Sequence, residues 1–113
     1  MSARELARSA SYTVVHEYES ASVRSSAGWQ LQVGEFYGDP QVALIDTNAR
    51  WCAVAGEGLI VCELGPQGRC TTYFREPGSV LWITELRQVA ADGLEARGED
   101  GRWHRVDVRA GLP

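Results

Sequence analysis

The sequence predicts an all-β domain, an antiparallel meander of about eight to nine short strands folded as a sandwich or half-barrel. Three observations lead there. Apolar and polar residues alternate with a period of two over short stretches. Each stretch ends in turn chemistry, as at Tyr37-Gly38-Asp39-Pro40, Gly65-Pro66-Gln67-Gly68, Pro77-Gly78 and Gly98-Glu99-Asp100-Gly101. Beyond residue 11, no segment carries the 3.6-residue apolar repeat of an amphipathic helix. With 113 residues, the chain is long enough for one packed domain over 1–113.

At the N-terminus, Ser2 and Glu5 have capping-box spacing, and Leu6, Ala7 and Ala10 could share one side of a helix. This predicts a short helical arm over 1–11, ahead of a β-domain over 12–113. Tyr12, Val14, His16 and Tyr18 then alternate with Thr13, Val15, Glu17 and Glu19, a strand pattern. Residues 20–28 are small and polar around Val23, which fits a weak edge strand or a loop. Strands are expected over 29–36, 42–46 and 70–74, with 80–91 forming one bent strand or two. The chain closes on a hairpin of 94–97 with 102–109.

The central segment is the most informative. Residues 51–55 and 59–64 are apolar runs flanking Gly56-Glu57-Gly58, a three-residue hairpin loop with Gly58 in the left-handed position. Pairing Ala55 with Leu59 sets Cys52 opposite Cys62 and Val54 opposite Ile60. One face then reads Cys52, Val54, Ile60, Cys62, Leu64, and the other Trp51, Ala53, Ala55, Leu59, Val61. Both are apolar, so the ribbon belongs in the middle of the fold. A faint echo between 28–64 and 68–108 offers an alternative fold of two blade-like repeats of about 40 residues, which could close a propeller only as three chains.

Composition narrows the function. All eleven basic residues are arginine, which excludes Schiff-base and lysine-base chemistry. Residues 28–65 carry Glu35, Asp39, Asp46, Glu57 and Glu63 against Arg50 alone, and the net charge is −4. That balance argues against nucleic acid, whose phosphates need several basic contacts on one face. No apolar run is long enough to span a membrane, and the first residues lack a secretory apolar core, so no membrane partner and a cytoplasmic location are expected.

No catalytic constellation stands out. His16 and His104 sit in strand patterns, far from any His-x-x-x-His or nucleophile-elbow motif. Cys52, Cys62 and Cys70 have a spacing unlike paired zinc ligands and are expected as reduced, buried residues. The hairpin register leaves Cys52–Cys62 as an alternative bridge. Gly56-Glu57-Gly58 lacks the following helix of a phosphate loop. The expectation is therefore a chain that is not an enzyme and has neither cofactor nor metal.

What remains is recognition. Aromatic side chains and arginines beside acidic turns compose a protein-binding patch. Its candidate members are Glu35, Tyr37, Asp39, Asp46, Glu57 and Trp103. Residues 50–64 also resemble the central ribbon of small β-rich bacterial immunity proteins of polymorphic toxin systems. That resemblance implies a role in masking a toxin, and it carries over no binding residue. An acidic segment would suit a basic toxin or enzyme as partner. A sugar-binding module of two repeats, and an accessory or scaffold subunit, are the competing readings.

Overall fold

A computed structural model describes residues 3–108. Among them, eleven strands form three antiparallel sheets, each a meander in chain order. The first sheet holds β1 (Arg4–Arg8), β2 (Tyr12–Glu17), β3 (Ser20–Ser25) and β4 (Gln30–Glu35). The second holds β5 (Val42–Ile45), β6 (Trp51–Gly56), β7 (Gly58–Glu63) and β8 (Cys70–Tyr73). The third holds β9 (Ile83–Ala90), β10 (Gly93–Gly98) and β11 (Trp103–Asp107).

The central hairpin dictates this layering. Its register is the expected one, with Ala55 opposite Leu59, Val54 opposite Ile60 and Cys52 opposite Cys62. Gly58 takes φ +76°. Because both faces are apolar, each needs its own cover. Cys52, Val54, Ile60 and Cys62 pack against Val14, Ala21, Val23, Leu31 and Val33 of the first sheet. Trp51, Ala53, Ala55, Leu59 and Val61 pack against Ile83, Leu94, Ala96 and Val106 of the third. Two cores thus flank one sheet. Full burial of each large side chain, such as Leu59 or Val61, contributes about 1.5–3 kcal/mol.

The outer faces of the stack are polar. The first sheet exposes Gln30 and Gln32, and Ser20 accepts a hydrogen bond from Gln32 at 2.7 Å. The third sheet exposes a charge ladder in which Arg87 pairs with Glu95 at 2.6 Å and Arg97 with Glu85 at 3.4 Å. Polar outer faces terminate a stack of repeats. The three sheets do not close into a barrel. The two-repeat alternative is corrected as well: there are three meanders, beginning at Arg4, Val42 and Ile83, in a different phase from the echo in the sequence.

Three local expectations change, and the choice left open for residues 80–91 is decided. Residues 4–8 of the proposed helical arm form β1, paired along β2 through Glu5 with Val15 and Arg8 with Thr13; Ser2 lies outside the described residues. An isolated helix this short is unstable in water, whereas a strand here gains a ladder and buries part of Leu6 and Ala7. Residues 20–25 form an interior strand, because Ala21 and Val23 supply a fully buried face while Ser20 and Ser22 lie on the other. Residues 83–90 are one strand. The cysteines are not all reduced: Cys62 is bonded to Cys70, and Cys52 is a buried thiol.

Backbone phase explains that pairing. The Glu63 amide donates to Arg69 O on the β8 side, and the Leu64 amide donates to Arg50 O on the β6 side. Cys62 is in phase with Leu64, so its backbone bonds to β6 and it forms the closer, non-hydrogen-bonded pair with Cys70. The Cα atoms of Cys62 and Cys70 are 4.0 Å apart.

Candidate functional site

In a meander, alternate turns emerge at the same end of the sheet. Here the β2–β3, β4–β5, β6–β7, β8–β9 and β10–β11 connections of all three sheets converge, tied by hydrogen bonds between successive connections. The Phe36 amide donates to Glu19 O, the Gly58 amide to Leu81 O and the Glu99 amide to Trp82 O. Glu57 and Trp82 add a β-bridge.

Glu57, at the tip of the central hairpin, organises this end. Its carboxylate accepts the Tyr37 amide at 2.9 Å and an Arg75 guanidinium N–H at 3.2 Å. The same guanidinium donates to Glu35 O at 2.8 Å and lies 5.1 Å from the centroid of the Phe36 ring. The flanking glycines are required by close approach. A Cβ at Gly58 would stand 2.0 Å from Cγ of Arg75, and one at Gly56 would stand 3.1 Å from Cα of Pro40. A clasp of Glu57 with Arg75 therefore joins connections from the first and second sheets.

Around the clasp the surface is aromatic and acidic. Of the four large apolar side chains that are exposed among the described residues, Tyr37 (74%), Tyr18 (61%) and Trp82 (40%) lie here, and Val89 (40%) lies on β9. Glu19, Glu35, Asp39, Glu76, Glu99 and Asp100 occupy the same loops, against Arg75 and Arg102. The backbone is also strained here. Tyr18 and Phe74 have φ of 53° and 60°, a region uncommon for residues with bulky side chains, and the smaller Ala49, in the turn beside Asp46 at the other end, has φ 56°. Such strain gathers at functional segments, where surrounding structure holds it in place. Beside the clasp, a groove of about 530 Å³ runs along residues 72–79, with Arg75 in its wall. Tyr73 Oη, close by, is buried with no hydrogen-bond partner among the described residues, and burial first, then the charge of Asp107, pushes its pKa up.

The structure thus brings together four of the six sequence-derived candidates: Glu35, Tyr37, Asp39 and Glu57. It does not bring in the other two. Asp46 lies at the opposite end, 3% exposed. Its carboxylate accepts Gln88 Nε2 at 2.8 Å, the Arg50 amide at 3.0 Å and Arg50 Nε at 3.3 Å. Burial opposes its ionisation, but the hydrogen bonds from Gln88, Arg50 and Asn48 and the Arg50 charge prevail, holding its pKa below the ordinary value. Trp103 faces outward from β11, covered by Arg87 at 3.9 Å and flanked by Arg97 at 6.0 Å. The sequence reading missed Tyr18, Glu19, Arg75 and Trp82. Tyr18-Glu19 carried a legible signal, two residues between alternating runs, which is hairpin spacing without hairpin residues.

The histidines are both engaged. His16 is buried with Nδ1 2.9 Å from Tyr18 O, and His104 Nε2 is 2.9 Å from Asp100 Oδ2. The His104 ring also meets Phe74 edge-on at 5.8 Å. The amide of Arg102, followed by His104, stabilises ionised Asp100 and lowers its pKa. These contacts fix turn geometry at the acidic end. Compared with known proteins, the chain matches no family model, no curated protein and no solved structure.

Proposed function

We propose that this chain is a non-catalytic protein-binding module that masks a basic surface of a partner protein, in the manner of an immunity or inhibitor protein. One observation carries the reading: Tyr18, Tyr37 and Trp82 are exposed at the same end as a ring of carboxylates, around a rigid Glu57–Arg75 clasp. Exposed tyrosine and tryptophan supply rigid contact area, and the surrounding acids steer a cationic partner and raise its association rate. Asp46 and Trp103 are left out of the contact surface. A basic enzyme or toxin is the partner class that fits.

The test is paired capture. The wild-type chain and a Glu35→Arg, Asp39→Arg, Tyr37→Ala variant are immobilised and exposed to extract from the source cell. The expected result is a stoichiometric basic protein that the wild type retains and the variant loses, with association slowing as salt rises. Equal retention by both chains, or no stoichiometric partner on either, would overturn the reading. The substituted side chains avoid the Glu57–Arg75 clasp, so the variant should keep the wild-type melting temperature.

A further inference from the structure

We propose that Cys62 is shared between two alternative disulfides, and that transfer of its bond from Cys70 to Cys52 unmasks Cys70 as a nucleophilic thiol on the protein surface. The three cysteines occupy one row across β6, β7 and β8: Cys52 is opposite Cys62, and Cys62 is opposite Cys70. Directly opposite residues project to the same face of a sheet, so both neighbours present sulfur to Cys62. In the present bond Cys62 joins the closer, non-hydrogen-bonded partner. The hydrogen-bonded partner, Cys52, has a Cα spacing of about 5.5 Å, which also falls within the usual range for a disulfide.

The two outer cysteines differ in exposure. Cys52 is completely buried in the first core, whereas Cys70 is exposed on β8, the edge strand of its sheet. In the transfer, the Cys52 thiolate attacks Cys62 Sγ. The Cys52–Cys62 bond forms, the Cys62–Cys70 bond breaks, and Cys70 leaves as a thiolate. The proton given up by Cys52 passes to solvent. One disulfide is exchanged for another, so no oxidant or reductant is consumed.

Burial pushes the Cys52 thiol up to about 12, which keeps the core sulfur protonated and the Cys70 bond in place at rest. Transfer therefore follows local opening around β6. The β7–β8 connection does not need the bridge to hold its shape. The Glu63 amide donates to Arg69 O at 2.9 Å, the Arg69 amide to Glu63 Oε1 at 3.2 Å, and the Gly68 amide to Gly65 O at 3.2 Å. The edge strand stays placed, and its freed thiolate faces water. The ligand class it would take is a disulfide or another soft electrophile on a partner.

Trypsin cleavage after Arg50, Arg69 and Arg75 makes the two states distinguishable, because peptide 51–69 contains both Cys52 and Cys62 while 70–75 contains Cys70. The oxidised, folded protein is incubated with iodoacetamide at pH 8.5 without added thiol, then acid-quenched, digested and mapped by mass spectrometry. The expected products are alkylated 70–75 and an internally bridged 51–69, with alkylation of Cys70 at least tenfold slower in Cys52→Ala. Alkylation of Cys52 with Cys62–Cys70 intact would overturn the proposal, as would alkylation of Cys70 no faster than in Cys52→Ala. In the second arm, folded Cys70→Ala treated with diamide is expected to form the bridge within 51–69 at unchanged circular dichroism. Failure to form it would also overturn the shared-sulfur geometry.

Discussion

The two ends of the sheet stack use a carboxylate and an arginine in contrasting ways. At one end, Asp46 is buried beneath Arg50 and Gln88, and Arg50 continues to Asp92 at 2.9 Å and to Ala91 O at 2.7 Å. Trp51 Nε1 donates to the same Ala91 O at 3.1 Å. This network fastens the second sheet to the third, and the Cys62–Cys70 bridge adds a covalent staple nearby. At the other end, the Glu57–Arg75 pair is only partly covered, with side-chain exposures of 19% and 23%. Around it stand the exposed aromatic residues Tyr18, Tyr37 and Trp82. The first end secures the layers and the second presents a surface. A carboxylate near the end of a strand is therefore not informative until its neighbours are known.

Removal of Asp46 is expected to have the largest effect. Asp46→Ala leaves Gln88 and Arg50 without their buried acceptor, and it should cost about 2–4 kcal/mol in denaturant unfolding while leaving partner association unchanged. Because the folded pKa of Asp46 is depressed, its contribution is fully present above the unfolded value, near ~3.9, and is lost as pH falls through the folded value. The acid limb of the stability profile below about pH 4 should accordingly be shallower in Asp46→Ala. An equally steep limb would show that other carboxylates govern acid unfolding.

Opening the staple comes next. Reduction of Cys62–Cys70 should cost about 2–3 kcal/mol by the chain-entropy argument for a short loop, with less measured if the hydrogen-bonded turn already restricts the unfolded chain. Such a bridge persists in an oxidising compartment and opens in a reducing one. Its state in protein taken from the cell would therefore test the cytoplasmic location expected from the sequence.

At the acidic end, the paired substitutions Glu35→Arg and Asp39→Arg should change stability by under about 0.5 kcal/mol, since both side chains are exposed. They should nevertheless slow association with a basic partner about tenfold at low salt, and much less at high salt. A rate independent of salt would remove the electrostatic part of the proposed function. The smallest effect expected is a gain. Tyr18 sits at the first central position of a two-residue hairpin loop with positive φ, where glycine is favoured. Tyr18→Gly should stabilise the fold by about 0.5–1 kcal/mol while weakening partner binding. A variant that loses stability would show that Tyr18 is held by packing.

Legibility followed the range of the interactions. The central hairpin could be read in full because its turn glycines, period-two pattern and register all lie within 51–64. β1 could not, since its partner β2 outweighs the helix-like spacing of Ser2 and Glu5. The Cys62–Cys70 bond required knowing to which side the Cys62 backbone is turned, and β8 decides that. Asp46 and Glu57 looked alike as acidic turn residues. Gln88, 42 positions away in sequence, made one of them a buried fastener. Arg75, 18 positions away, made the other the centre of a surface.

Alternation along a strand assigns every side chain to a face, so the residues alone establish an all-β chain whose central ribbon is apolar on both faces. That two further sheets cover those faces, which sulfurs join and which turns share an end emerge only in the assembled fold. Those outcomes depend on groups distant in the chain meeting in space, and a local pattern holds no information about which distant group arrives.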